Sequence, residues 1–210
     1  MKLNSSKTKY MIINFTNNYQ FNTRISLNDT ILTCIDQIRL LGVEVCNDLS
    51  WKANTSSIVK KAFGRLTLLR KLVCFGVTDL DLVNIYILFI RSKLEYNCVV
   101  WHSTITVDKN DDIERVQKCS VRIILQERFT NYEEGLNVLG LEDLKSRREK
   151  LCLEFARKCV ETPGIKDWFP RNHQNPFDTR NQEEFKVTFA NNERFKNSTI
   201  PYLQRLLNSN

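Results

Sequence analysis

The amino-acid sequence predicts an α+β protein in which a small β-rich N-terminal segment precedes a mainly α-helical body. Residues 9–46 contain short runs rich in β-branched and aromatic residues, which favour strands. From residue 52 onward, apolar residues recur every three or four positions, a spacing typical of amphipathic helices. The 210 residues include only 6 glycines and 4 prolines, and this scarcity of turn residues favours long helices.

The N-terminal segment is too small to form an independent sheet with its own core. Its strand-like runs are residues 10–15, 24–27, 30–35 and 38–45. Polar turn residues separate them at 17–22 and at Asn28 and Asp29. Because a buried strand needs neighbours on both sides, we expect this segment to be the edge of a larger structure.

Residues 52–75 predict a long basic helix. Apolar residues form one stripe along it, and the stretch carries six basic residues and no acidic one. Lys60 and Lys71 lie nearly opposite the stripe, while Lys61 and Arg65 lie on one flank. This arrangement predicts a solvent-exposed cationic face.

Residues 79–95 predict a second helix, which Gly76 separates from the first by offering a left-handed C-terminal cap. Apolar residues occur on almost every side of this helix, so we expect it to form the buried centre of a helical bundle. Its most apolar stretch, residues 82–90, is much shorter than the roughly 20 residues that a membrane-spanning helix needs.

A third helix is predicted over residues 111–125. Polar residues at its start are suited to cap it, and these are Asp108, Asn110 and Asp111. A spacing of i, i+3 and i+7 puts three basic side chains on one face, namely Arg115, Lys118 and Arg122.

In the rest of the chain, the sequence predicts a short helix at 132–141 and a long helix at 141–161. A polar, irregular stretch follows at 163–192. Apolar residues recur at regular spacing over 198–208, so we expect this end of the chain to pack against the preceding helices. The inward residues expected on the long helix are Leu144, Leu151 and Phe155.

The cysteines do not predict a metal site. All seven are isolated, no CxxC occurs, and neither His102 nor His173 lies near a cysteine pair in sequence. We expect most of them to be small buried side chains in a reducing compartment, with Cys152 and Cys159 on one helical face in the core.

The sequence contains none of three common catalytic motifs: G-x-S-x-G, Walker A and H-E-x-x-H. The paired carboxylates Asp111 and Asp112 precede a helical pattern, and we interpret them as helix caps rather than metal ligands. The net charge is +7, which suits a polyanionic partner but is equally compatible with a solvated cationic surface.

Seven motifs occur in order along the chain: LNSSKTKYMIINF, IRLLGVEVCNDLSW, a K-K-A-x-x-x-L helix, IYILFIRSKLEYNCVVW, IERVQKCSVRIIL, LGLEDLKSRREKL and NSTIPYLQRLLN. In this order and spacing they resemble the C-terminal part of the reverse transcriptase of non-LTR retrotransposons, of the Jockey-like LINE kind. The resemblance covers residues 3–208 and is weakest over 163–195.

The resemblance implies a division of the chain into the end of a polymerase palm with a primer-grip-like hairpin, thumb-like helices, a helical C-terminal extension, and an irregular tail with a short docking segment. The corresponding residues are 1–50, 51–104, 105–162 and 163–210.

The resemblance also implies roles for individual residues. Asn4, Lys7 and Thr8 match the family's N-x-x-K-T segment, whose lysine is placed near the phosphates of the incoming nucleotide. The primer-grip-like residues are Leu41, Gly42 and Val43. The thumb of the family lies along an RNA–DNA hybrid, so the expected nucleic-acid-binding residues are Lys60, Lys61, Arg65, Lys71, Arg115, Lys118 and Arg122.

The family's fingers and its catalytic aspartates would precede residue 1. Two-metal phosphoryl transfer needs those acids, so we expect no polymerase activity from this chain by itself and no cofactor, although Mg²⁺ would serve the intact family enzyme. The expected partners are an RNA–DNA hybrid or duplex nucleic acid, bound weakly, and the upstream palm and fingers of a parent polymerase.

We further expect an intracellular location, cytoplasmic or nuclear, because no signal peptide or transmembrane segment is recognisable. Two alternatives remain open from the sequence: a non-catalytic helical protein-interaction module, or a functionless relic of a mobile element.

Overall fold

The computed structural model describes residues 4–15, 24–27, 30–172 and 184–209. The chain divides into two compact units, Met1–Ser57 and Ile58–Asn210. The first contains the strands and the second is mainly helical, which is the mixed α+β composition predicted from the sequence. No helix in the described ranges is both long and apolar enough to cross a bilayer.

The first unit contains short paired strands. They are β1 (Lys9–Tyr10), β2 (Ser26–Leu27), β3 (Thr30–Ile31), β4 (Thr33–Cys34), β5 (Gln37–Leu40) and β6 (Val43–Cys46). β1 pairs with β4 in parallel, β2 pairs with β3 antiparallel, and β5 and β6 form an antiparallel hairpin. Leu32 and Val43 are the buried apolar side chains among the described residues of this unit.

The strand predicted at residues 10–15 is present only at its beginning. The amide of Ile35 donates to the carbonyl of Tyr10 at 2.9 Å, and β1 ends at Tyr10, so residues 11–15 lie outside the strand. Phe15 is 75% exposed. A run of β-formers becomes a strand only where another strand accepts its hydrogen bonds. The predicted turns at 17–22 and at 28–29 lie outside the described residues.

The helical elements begin at residue 52. Besides short 3₁₀ turns, they are α1 (Lys52–Cys74), α2 (Asp79–Ile85), a π-helix (Tyr86–Arg91), α3 (Ser92–Leu94), α4 (Cys98–Trp101), α5 (Val107–Leu125), α6 (Tyr132–Leu139), α7 (Leu144–Glu161), α8 (Glu193–Lys196) and α9 (Thr199–Asn208). α2, the π-helix and α3 follow one another without a gap and together form the second predicted helix.

The predicted boundary between the first two helices is confirmed. Gly76 has a φ of 72°, and the amide of Val77 donates to the carbonyl of Leu72 at 3.3 Å, which satisfies an end carbonyl of α1. Thr78 then caps the start of α2, because its hydroxyl accepts the amide hydrogen of Asp81 at 3.3 Å.

α5 begins earlier than the sequence predicted. Its N-cap is Thr106, in an extended conformation, so Asp108, Asn110 and Asp111 lie inside the helix and their prediction as caps was wrong. Asp112 is likewise inside, where its carboxylate lies 2.9 Å from the ammonium of Lys109. These acidic residues stabilise the first turns of the helix through its dipole and through i, i+3 pairs instead.

The second helix is buried on one side only. Leu82, Tyr86 and Ile90 are at most 1% exposed, but Leu80 and Leu88 are 72% and 67% exposed. The prediction that the second helix is buried on all sides was therefore wrong for the face that carries Leu80 and Leu88.

The inward face of α7 also differs from the prediction. Phe155 is 43% exposed, whereas Cys152, Ala156 and Cys159 are buried and pack against Leu203 of α9. Small side chains along this face allow α9 to approach closely. The prediction that Cys152 and Cys159 belong to the core is confirmed.

The other cysteines are more accessible than expected. Cys98 is buried as well, but Cys34 and Cys74 are exposed, and Cys46 and Cys119 are half-buried. The expectation that most of the seven are buried was therefore wrong.

Candidate nucleic-acid interface

The outward face of α1 is cationic. Lys60, Lys61 and Lys71 are exposed, while the apolar stripe of the same helix is buried. None of these three lysines forms an ion pair with a described residue. Lys71 follows Lys60 by 11 residues, so the face extends about 16 Å along the helix axis. Because residues 52–75 contain no acidic side chain, nothing within the helix neutralises this face.

Arg65 has a different environment. Its side chain is half-buried, and its guanidinium Nη1 donates to the carbonyl of Phe89 in the π-helix. A π-helix interrupts the regular i, i+4 ladder, and a charged donor from a neighbouring helix satisfies a carbonyl there. Arg65 therefore ties α1 to the π-helix.

The basic face of α5 is present but partly neutralised. Arg115, Lys118 and Arg122 are all exposed, and Nη1 of Arg115 lies 3.3 Å from the carboxylate of Asp112. Lys109 is hydrogen-bonded to the same carboxylate and lowers its pKa, with a smaller contribution from Arg115. Lys118 and Arg122 form no ion pair within the described ranges, so they are the more available cations of this face.

The primer-grip-like residues form the tip of the β5–β6 hairpin. Leu40 pairs with Val43, so Leu41 and Gly42 are the two loop residues, with φ angles of 47° and 87°. Positive φ at both positions is typical of a type I′ turn, which favours Asn-Gly rather than Leu-Gly. Leu41 is 82% exposed and Val43 is 5% exposed. The motif thus combines an exposed leucine in an unfavourable left-handed conformation, Leu41, with a buried valine, Val43.

The segment around Lys7 is a compact turn organised by Asn4. The carbonyl of Asn4 accepts hydrogen bonds from the amides of Lys7 and Thr8, at 3.2 and 3.0 Å, and from the hydroxyl of Thr8 at 2.7 Å. The side-chain oxygen of Asn4 accepts from the amide of Ser6 at 3.0 Å. The first and last residues of the motif therefore shape the backbone, and the lysine is left exposed.

Sequence reasoning did not find the buried cation of the second unit. Arg148 is fully buried, and its Nε donates to Nδ1 of His102 at 3.2 Å. Its Nη2 donates to Asn110, and its guanidinium carbon lies 5.8 Å from the ring centre of Trp101. The neighbouring Arg147 instead pairs with Glu95 at 2.6 Å. Arg147 and Arg148 are adjacent and chemically identical, so the sequence does not indicate which of the two is buried.

A second buried polar cluster joins α5 to the elements packed around it. Nε2 of Gln117 donates to the hydroxyl of Tyr132 and to the carbonyl of Glu142, both at 2.8 Å, and its Oε1 accepts from the hydroxyl of Tyr86. The carboxylate of Glu114 accepts from Tyr132 and from the amide of Leu144. Burial raises the pKa of Glu114 and of Tyr132. This cluster holds α5, which carries one of the two basic faces, against the π-helix, α6 and the start of α7.

Within the described residues, no three His, Cys, Asp or Glu side chains are grouped so that they could hold a metal ion. His173 lies outside those residues. No family model matches the chain, and neither the curated proteins nor the solved structures include a match to it.

Proposed function

We propose that this chain is the end of the palm, the thumb and the C-terminal extension of a non-LTR retrotransposon reverse transcriptase, and that it binds RNA–DNA hybrid or duplex nucleic acid through the outward face of α1. The observation that carries the proposal is the set of three exposed lysines on a helix without acidic residues. The order of the seven sequence motifs supports the same origin.

The binding follows from simple electrostatics. Each phosphate that a lysine neutralises releases condensed counterions, so affinity falls as salt rises. If Lys60, Lys61 and Lys71 act together with Lys118 and Arg122, the log–log slope of affinity against salt is about −4 to −5. Contacts to phosphates alone carry no base preference, so the binding is independent of sequence.

Charge reversal tests the proposal directly. The variant K60E/K61E/K71E is compared with the parent by fluorescence anisotropy on a labelled RNA–DNA hybrid at several salt concentrations. Arg65 is left unchanged because its guanidinium donates a hydrogen bond to the carbonyl of Phe89, so its replacement would also disturb the packing of α1.

The matched control is K158E/K166E/K186E, which reverses three exposed lysines elsewhere in the same unit. We expect the α1 variant to lose binding and the control to retain most of it. Equal loss in both variants would mean that net charge alone attracts the nucleic acid, and unchanged binding by the α1 variant would exclude this face.

The proposal covers binding and not polymerisation. Phosphoryl transfer by two metal ions requires a rigid pair of carboxylates, and the resemblance aligns none of the residues of this chain with that pair. In a primer-extension assay with template, dNTPs and Mg²⁺ or Mn²⁺, we expect no template-dependent product from the pure protein. Extension that depends on the template would contradict this part of the proposal.

A second candidate function is a helical protein-interaction module. It is favoured by the exposure of three large apolar side chains on the second helix, Leu80, Leu88 and Phe89, because exposed apolar surface is a feature of protein-contact sites. The variant L80S/L88S distinguishes the two functions, because it removes the apolar surface and leaves the lysines of α1 intact. Retained hybrid binding by this variant favours the nucleic-acid function.

A further inference from the structure

The fully buried guanidinium of Arg148 on α7 is surrounded by uncharged groups from two neighbouring parts of the helical unit. Nε donates to Nδ1 of His102, in the 3₁₀ turn His102–Thr104 that follows α4, at 3.2 Å. Nη2 donates to the side-chain oxygen of Asn110 in α5, and the guanidinium carbon lies 5.8 Å from the ring centre of Trp101. An imidazole that accepts at Nδ1 is neutral, so none of these three contacts compensates the positive charge.

No carboxylate forms an ion pair with Arg148 within the described ranges. Burial lowers the pKa of Arg148, and the charge of Glu114 opposes this effect. The two oxygens of Glu114 accept hydrogen bonds from other groups, one from the hydroxyl of Tyr132 and one from the amide of Leu144. Burying a charge without a partner of opposite sign in contact is costly, so this guanidinium favours a directly bound counter-charge.

Three buried polar atoms in this part of the fold have no hydrogen-bond partner among the described residues. They are Nη1 of Arg148, Oγ of Ser103 and Oγ1 of Thr104. Ser103 and Thr104 directly follow His102 in the 3₁₀ turn that the guanidinium contacts. Because buried polar atoms are almost always hydrogen-bonded, these atoms indicate a position for a further acceptor.

The charge of Arg148 determines which kind of acceptor suits this position. A water molecule satisfies a hydrogen bond but leaves the guanidinium charge uncompensated. An anion accepts the hydrogen bond and compensates the charge, and hydrogen bonds between ionised groups are stronger than neutral ones. Chloride is a single atom that accepts hydrogen bonds from any direction, so it suits donors that come from different elements.

We propose that Nη1 of Arg148 anchors a buried binding site for a small monovalent anion, chloride, between α7 and the 3₁₀ turn that follows α4. The adjoining turn offers the hydroxyls of Ser103 and Thr104 as further donors. The anion compensates the guanidinium charge and thereby stabilises the packing of these elements. This inference does not depend on nucleic-acid binding, because none of these residues belongs to the two basic faces.

Thermal unfolding of the full chain at constant ionic strength tests the proposal. Chloride is replaced stepwise by gluconate, which is too large to enter a buried site for a single ion. An ion that binds only the folded state stabilises it by mass action. We therefore expect the Tm of the parent to rise with the chloride concentration, and equal Tm values in chloride and gluconate would overturn the proposal.

Two variants separate this site from general effects of the salt. R148M removes the guanidinium, whereas R157M changes an exposed arginine of the same helix. Effects of anion type on the whole protein surface act on both variants alike. We expect R157M to keep the chloride-dependent rise in Tm and R148M to lose it, and a rise of equal size in R148M would overturn the proposal.

Crystallography of the parent protein gives a second measurement that needs no variant. Bromide replaces chloride in the crystallisation solution and is located by its anomalous scattering. We expect an anomalous peak within hydrogen-bond distance of Nη1 of Arg148. A water molecule at this position without bromide would overturn the proposal. Because this measurement uses the parent, a failure of R148M to fold does not prevent a decision.

Discussion

Nε of Arg148 donates a hydrogen bond to Nδ1 of His102 across 3.2 Å in the core of the helical unit. His102 can accept this bond only when Nδ1 carries no proton, so the imidazole is neutral and its proton is on Nε2. Burial, the charge of Arg148 and the charge of Lys145 lower the pKa of His102 to about 4.

This relationship predicts how stability depends on pH. Below pH 6.5 an unfolded chain protonates His102, but the folded protein does so only near pH 4, so the unfolded state binds more protons in between. The contribution of His102 to the free energy of unfolding is fully present above pH 6.5. It decreases by about 3 kcal/mol as the pH falls from 6.5 to 4. The variant H102N keeps an acceptor for Arg148 and does not titrate. Urea unfolding of both proteins between pH 4 and 7 should show a shallower decline for H102N, and parallel curves would contradict the assignment.

Replacing Arg148 tests how much the buried cation contributes to stability. R148A leaves a cavity and removes the donor from His102 and Asn110, so we expect a loss of about 3–5 kcal/mol. In R148M the methionine side chain fills most of the same volume without a buried charge, so this variant should lose less stability than R148A. R157A, at an exposed position of the same helix, should change stability by at most about 0.5 kcal/mol. Urea denaturation measures all three, and an R148A loss as small as that of R157A would contradict the buried role.

Two glycines predict opposite effects of the same substitution. A Cβ atom at Gly135 in α6 would lie 2.6 Å from Cγ1 of Val121, a buried β-branched side chain that cannot rotate away. Overpacking in G135A should therefore lower the free energy of unfolding by about 1–3 kcal/mol. A Cβ atom at Gly64 in α1 meets nothing within 4 Å, so G64A should gain about 0.5–1 kcal/mol from helix propensity. Thermal unfolding of both variants provides the test, and a stabilised G135A would be inconsistent with the close packing of α5 and α6.

The hairpin tip predicts a stabilising substitution. Leu41 has a φ of 47° in the first loop position, a conformation that costs a residue such as leucine about 1 kcal/mol and that asparagine tolerates. L41N should therefore slow hydrogen exchange of the β5–β6 amides. L40N changes the neighbouring exposed leucine within the strand and should speed exchange, because asparagine is a poor strand former. Faster exchange in L41N than in the parent would argue against the type I′ turn.

Local sequence signals predicted the long helices well. The predicted helix at 52–75 is observed as Lys52–Cys74, and the C-terminal cap at Gly76 is in the expected conformation. These features depend on hydrogen bonds between residues four apart and on single cap residues, which the sequence displays directly. The cap of α5 was misplaced because acidic residues stabilise both the cap and the first turn of a helix.

The strand predictions were less accurate for a physical reason. A strand forms only where a second segment pairs with it, and the pairing of β1 with β4 ends at Tyr10 and Cys34, before residues 11–15. The β5–β6 hairpin is the exception, because its two strands are joined by a two-residue turn and its pairing is local.

By itself, the sequence determined the α+β composition, the positions of the long helices and the cationic outward face of α1, since periodicity and charge are properties of each segment alone. Only the tertiary structure decided which side chains those segments bury. It buried Arg148 and left Arg147 beside Glu95, and it buried Ala156 while leaving Phe155 exposed. Burial depends on the neighbouring element that covers each position, and that neighbour is remote in sequence.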